Sequence, residues 1–146
     1  MNSRIVMKEV EPKAYETMFS FEKYLSRTKL TPIQKHLIKI RASQINGCAF
    51  CIDMHTKEAR VLGETEQRIY ALNAWRETPY FTEVERAILA LTEEITLIHQ
   101  KVSDETYANA ARLLDEVSLA QIIMAIIGIN AWNRIAISTH MMPPLD

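Results

Sequence analysis

Apolar residues recur along most of this chain at the three- and four-residue spacing of a helix face. Met18, Phe21, Tyr24 and Leu25 set the first such stripe, within a helix expected over 14–27. Ile33, Leu37, Ile40 and Ile45 set the second, over about 33–45. Thr31-Pro32-Ile33-Gln34 opens it, with a capping threonine, a first-turn proline and a glutamine able to reach back. The third helix is expected over 48–62 and stops at Gly63, a residue suited to a left-handed turn. Ile69, Leu72 and Trp75 mark a short helix over 65–76, ended by Pro79. Thr82 and Glu85 form another capping box, opening a helix to about Gln100 with Val84, Ile88, Leu91, Ile95 and Ile98 apolar. Ser103 is expected to cap a helix to Leu114, and Ser118 with Gln121 to start one reaching Ser138. Residues 1–12 read as an irregular lead-in.

The run Ile122–Ile129 is β-branched enough for a buried strand, but the caps around it and the length of the segment favour a helix. The expectation is an all-α protein, one domain over 1–146, built as a bundle of about six to seven helices. Only three glycines and five prolines in 146 residues agree with long helices and few turns. A net charge of −1 and a pI near 6.4 give no reason to expect nucleic acid or an anionic membrane as partner. The N-terminal residues lack the apolar core of a signal peptide, and the longest apolar run is too short to span a bilayer by itself. A cytoplasmic location is expected. There a lone Cys-x-x-Cys is catalytic or metal-binding more often than a structural staple.

That pair is Cys48 and Cys51, the only cysteines, with His55 four residues beyond the second. On a helix the three would share one face. Asn46-Gly47 marks a break before them, placing Cys48 in the first turn, where free N–H groups and the helix dipole stabilise a thiolate. Three chemistries fit the spacing. A redox pair needs one attacking and one resolving thiol, with His55 as proton acceptor. A zinc site would use Cys48, Cys51 and His55, with His36 as an awkward fourth ligand. Two small thiols could also simply fill space. His99 is expected near helix-end carbonyls and His140 in the tail, while Glu93-Glu94 and Asp115-Glu116 read as solvated faces. Asn73-Ala74-Trp75 recurs as Asn130-Ala131-Trp132, two rings that each need an N–H partner.

The stretch Leu37–Arg60, with Gly47-Cys48-Ala-Phe-Cys51-Ile-Asp-Met-His55 at its centre, resembles the alkylhydroperoxidase D-like (AhpD-like) branch of the carboxymuconolactone decarboxylase superfamily. The likeness continues through Ala71–Glu77 and Asn130–Arg134, covering about residues 30–135. It implies an all-helical fold, assembly into homo-oligomers (often trimers or hexamers) and a thiol peroxidase reaction without a prosthetic group. In that scheme Cys51 attacks a hydroperoxide, Cys48 closes the disulfide, and an external dithiol or protein reductant reopens it. His55 matches the relay histidine. The family's relay glutamate falls at a position where this chain has His36, which implies a variant relay without a fixed negative charge there. Phe50 stands where some members have a histidine, which makes the expected pocket more apolar. The same disulfide could instead serve a redox-responsive regulatory protein, in which oxidation changes binding and turnover is negligible.

Overall fold

The structure, a computed structural model, describes residues 4–146. Among them are eight α-helices, two 3-10 helices and no strand, so the chain is an all-helical single domain. In order, the α-helices are α1 (Met7–Val10), α2 (Pro12–Ser26), α3 (Pro32–Asn46), α4 (Ala49–Val61), α5 (Glu66–Tyr70), α6 (Glu83–Thr96), α7 (Asp104–Leu113) and α8 (Glu116–Thr139).

The caps carry most of this agreement. Thr31 Oγ1 accepts from the Gln34 N–H while the Gln34 side chain accepts from the Thr31 N–H, and Thr82 and Glu85 do the same for α6. Gly47 (φ +71°) and Gly63 (φ +93°) take the left-handed backbone that ends α3 and follows α4.

Four local expectations shift. The lead-in contains the short α1, and residues 1–3 of that expectation lie outside the described residues. The helix over 65–76 divides into α5 and the 3-10 segment Leu72–Glu77, with Ala74 outside helical geometry. The helix to Gln100 ends at Thr96, and Ile98–Gln100 is 3-10. Helix α8 starts earlier than Ser118, because Asp115 Oδ1 accepts the Ser118 N–H at 2.9 Å and so takes the cap three residues upstream. Gln121 instead accepts from the Lys29 N–H at 2.9 Å.

Helix α3 is the internal helix. One side, with Ile38 and Ala42, packs into a core shared with Ile88 and Leu91 of α6 and Ile122, Ile126 and Ile129 of α8. Its other side, with Leu37 and Ile40, meets Ala59 of α4, Leu72 and Trp75. Burial on both sides is why Ile38 and Ala42 are apolar too, outside the stripe set by Leu37 and Ile40. Each fully buried Leu or Ile contributes about 1.5–3 kcal/mol from its removal from water. The α8 segment long and apolar enough to cross a membrane is this core helix, packed on α3 and α6. At Gly128 an added Cβ would lie 2.9 Å from Phe21 Cε1, so the missing side chain lets α2 lie close on α8.

A polar clamp fixes the end of α3 against α8. The Asn46 amide donates to Asn130 Oδ1 and Asn133 Oδ1, both at 2.9 Å, and Asn133 donates to Ser43 Oγ at 3.0 Å. Ser43 and Asn133 are fully buried, so these bonds replace water that has no access. Both tryptophans find carboxylate partners, Trp75 on Glu93 at 2.8 Å and Trp132 on Glu22 at 3.0 Å.

Glu93 is therefore not on a solvated face. It also accepts from Arg41 Nε at 2.9 Å and from Arg76, tying α3 and the 3-10 segment to α6. Glu94 holds the start of α7 through Ser103 and Thr106, and Asp115 caps α8. Burial alone would raise the Glu93 pKa, but the bonds from Arg76, Trp75 and Arg41 outweigh it and hold it below the ordinary carboxylate value. A carboxylate held low in the folded state contributes stability above its unfolded pKa and loses it as pH falls through the folded one. Stability should therefore fall from about pH 4 downward. Glu93→Gln should cost about 1–2 kcal/mol at pH 7 and flatten that acid limb. Urea denaturation of both proteins between pH 3 and 7 checks this, and an unchanged acid limb would contradict it.

Candidate active site

The turn at Gly47 sets the position of both thiols. Cys48 is the N-cap of α4 rather than a residue of its first turn, and its Sγ accepts from the Cys51 N–H at 3.4 Å. Cys48 and Cys51 are joined as a disulfide, their Cα atoms 5.3 Å apart. Both are buried, at 1% and 2% exposure, against Ala136 of α8.

The two sulfurs are not equivalent. Cys51 lines a cavity of about 320 Å³, and Cys48 does not. Tyr15 and Phe19 of α2, Phe50 and Met54 of α4, Trp132 of α8 and Met141 make its walls apolar. Tyr15 and Phe19 pack against the Trp132 ring at centroid distances of 5.5 and 5.9 Å. Phe50 thus does what its position in the motif implied. One corner is polar, where Lys39 pairs with Glu22 at 3.6 Å.

Helix α4 places Cys51, His55 and Glu58 four and three residues apart, on one face. His55 is 6% exposed and its Nδ1 lies 3.0 Å from Glu58 Oε2. The carboxylate accepts, so Nδ1 carries the hydrogen and Nε2 is the basic nitrogen of the neutral ring. Burial lowers the His55 pKa; the bond to Glu58 opposes this, and Lys39 adds to the lowering. Neutral imidazole is thus favoured, as a proton acceptor requires.

His36 reaches this pair from α3. Its Nδ1 donates to the Pro32 carbonyl at 2.8 Å, and its Nε2 lies 3.1 Å from the same Glu58 Oε2. Burial raises the Glu58 pKa, but the two imidazoles outweigh it and hold it below the ordinary value. The carboxylate of this cluster is that of Glu58, which meets His36 across the α3–α4 interface.

Three of the four expected site residues, Cys48, Cys51 and His55, gather at one end of α4. His36 joins through Glu58 and does not line the cavity at Cys51. The four-ligand zinc set is not assembled. The sulfurs are bonded to each other, and among the described residues the side chains whose ligand atoms converge are His36, His55 and Glu58. His99 lies exposed in a 3-10 turn and His140 is the exposed C-cap of α8. Glu58 was the residue sequence reasoning missed, although its i+3 spacing from His55 was a usable signal.

Comparison with known proteins fits this fold. The sequence profile of the Carboxymuconolactone decarboxylase family matches residues 12–94. A solved structure from Agrobacterium tumefaciens is 38% identical and superposes with a TM-score of 0.95, covering 99% of this chain and all of that one. That protein, ATU0492, is of unknown function and has been proposed to be an antioxidant defence protein of the AhpD type. This chain belongs to the carboxymuconolactone decarboxylase family, in its AhpD-like branch. The uncharacterised YdfG protein of Bacillus subtilis is 46% identical over 139 residues, 94% of this chain and 95% of its own. The debrominase Bmp8 shares the AhpD-like fold at 18% identity and a TM-score of 0.85, over 93% of this chain and 74% of its own.

Because the Glu58 bond raises the His55 pKa against burial, Glu58→Ala should lower that pKa further. Histidine ring titration by NMR reads it directly. An unchanged or higher value would show that Glu58 does not govern His55.

Proposed function

We propose that this AhpD-like protein is a thiol-dependent peroxidase, an oxidoreductase that reduces hydroperoxides through a Cys48–Cys51 disulfide cycle. The observation that carries the reading is the asymmetry of the pair. Cys51 faces an apolar cavity and lies one turn from a neutral His55, while Cys48 sits behind it on the N-cap.

In the first step His55 Nε2 takes the Cys51 proton, and the thiolate attacks the outer peroxide oxygen. The O–O bond breaks, Cys51 becomes a sulfenic acid, and the alkoxide leaves as alcohol with the proton returned by His55. Glu58 orients the imidazole and stabilises its charged form, and His36 holds Glu58 in turn. In the second step the Cys48 thiolate displaces hydroxide from the Cys51 sulfur, forming the disulfide and water. A dithiol or protein reductant then supplies two electrons. Its thiolate attacks Cys51, and Cys48 leaves as the thiolate best stabilised by the helix start. The dipole favours Cys48 as a thiolate, but access and the base favour Cys51 as the attacker.

The reading places the cycle in the reducing cytoplasm, where a reductant pool is at hand. It also includes self-association as a trimer or hexamer. In support, an apolar groove between α6, α7 and α8 exposes Ile98, Tyr107 and Ile127.

The test separates the two thiols. Cys48→Ser, treated with one equivalent of hydroperoxide, should form a sulfenic acid at Cys51 that dimedone traps, with turnover lost. Cys51→Ser should leave Cys48 unoxidised on the same timescale. His55→Ala should slow oxidation of Cys51 by about 10²–10⁴-fold, the usual worth of a general base. Trapping at Cys48 instead, or an unchanged rate in His55→Ala, would overturn the assignment.

A further inference from the structure

Two imidazoles and a carboxylate converge beside the thiols on a single point, and they do so without either sulfur. Helix α3 brings His36 Nε2, and α4 brings His55 Nδ1 and Glu58 Oε2, all within 4.8 Å of one another. Both nitrogen–oxygen separations, 3.1 and 3.0 Å, are already close to the edge of a small coordination polyhedron. With zinc–nitrogen and zinc–oxygen distances of about 2.0–2.1 Å, a tetrahedral edge is about 3.3 Å.

The surroundings suit a cation as well as the spacing does. His36 donates Nδ1–H to the Pro32 carbonyl, the outer contact that fixes a ligating histidine with its other nitrogen forward. The His36 and His55 side chains are mostly buried, whereas that of Glu58 is 48% exposed. The site therefore has rigid walls and one side open for entry and for a water ligand. Lys39 is the opposing charge facing His55, and Glu22 offsets it at 3.6 Å. Two neutral imidazoles and one carboxylate form a set that zinc and other first-row divalent ions accept.

We propose that His36, His55 and Glu58 form a divalent transition-metal site, with zinc as its representative ion. On binding, the His55 hydrogen moves from Nδ1 to Nε2, which frees Nδ1 for the metal. The metal then takes the nitrogen that Glu58 had occupied. The ring stays neutral, but Nε2, the basic nitrogen that the peroxidase reading needs, now carries the hydrogen. Resting on that reading, a bound ion is an inhibitor of the cycle. The site itself depends on neither thiol.

The test uses zinc alone on the full-length protein with the Cys48–Cys51 disulfide closed, so that sulfur cannot ligate. Isothermal titration at neutral pH should give one ion per chain. His36→Ala and Glu58→Gln should each weaken binding by more than about 100-fold, beyond the roughly 10–100-fold loss typical of an outer contact. The double variant His99→Ala, His140→Ala should bind like wild type. Circular dichroism confirms that each variant is folded, and His36→Asn replaces His36→Ala should the latter unfold. Cobalt substitution should add visible d–d bands without a thiolate charge-transfer band. Absence of saturable binding, affinity unchanged in both cluster variants, or binding lost in the His99/His140 variant would each overturn the proposal. Peroxidase failure with intact zinc binding would reject the catalytic reading and leave the metal site standing.

Discussion

The junction between α3 and α4 is the constraint on which the rest depends. Gly47 turns the chain in the left-handed region at φ +71°, where a β-carbon is costly. Asn46, immediately before it, is held by two asparagines of α8, and Asn133 bonds Ser43 one turn earlier. Ser43 and Asn133 are out of water, so breaking their bonds strands a buried polar group, which makes the junction stiff. Stiffness here has a local consequence. It fixes Cys48 as the cap of α4, turns Cys51 toward the cavity, and sets the α4 face that carries His55 and Glu58.

From that junction the site assembles by ordinary helix geometry. One face of α4 presents sulfur, imidazole and carboxylate in succession. Helix α3 answers with His36, and α2 and α8 supply the aromatic wall. The carboxylate does two things at once, selecting the His55 tautomer and holding His36 across the interface. Where the resemblance implied a glutamate on α3, the carboxylate beside the imidazoles comes from α4. Burial of the His55 side chain strengthens its contact with Glu58 relative to water. The debrominase among the structural relatives carries the same fold, so the side chains and not the architecture set the chemistry.

Much of the fold was legible because local signals and tertiary packing agree. The capping boxes at Thr31 and Thr82, and Gly47 and Gly63, gave element ends correct to within a residue or two. Ser118 misled because Asp115 offers an equally good capping oxygen one turn earlier, and sequence alone does not rank the two. Glu93 misled for a different reason. A glutamate reads as solvated until Arg41, Arg76 and Trp75, from two other elements, are seen to converge on it. Site legibility followed the same rule. Cys48, Cys51 and His55 are close in sequence and were readable from spacing, whereas the Glu58–His36 contact spans 22 positions and the wall residues Tyr15, Phe19 and Trp132 lie on other helices.

The central claim is that the buried pair cycles rather than switching once. Peroxide consumed per chain by fully reduced protein tests it most directly, measured first alone and then with a dithiol donor in excess. The account predicts one equivalent consumed alone, with formation of the Cys48–Cys51 disulfide, and many equivalents once the donor is present. One equivalent with every donor tried, and no further consumption, would contradict it.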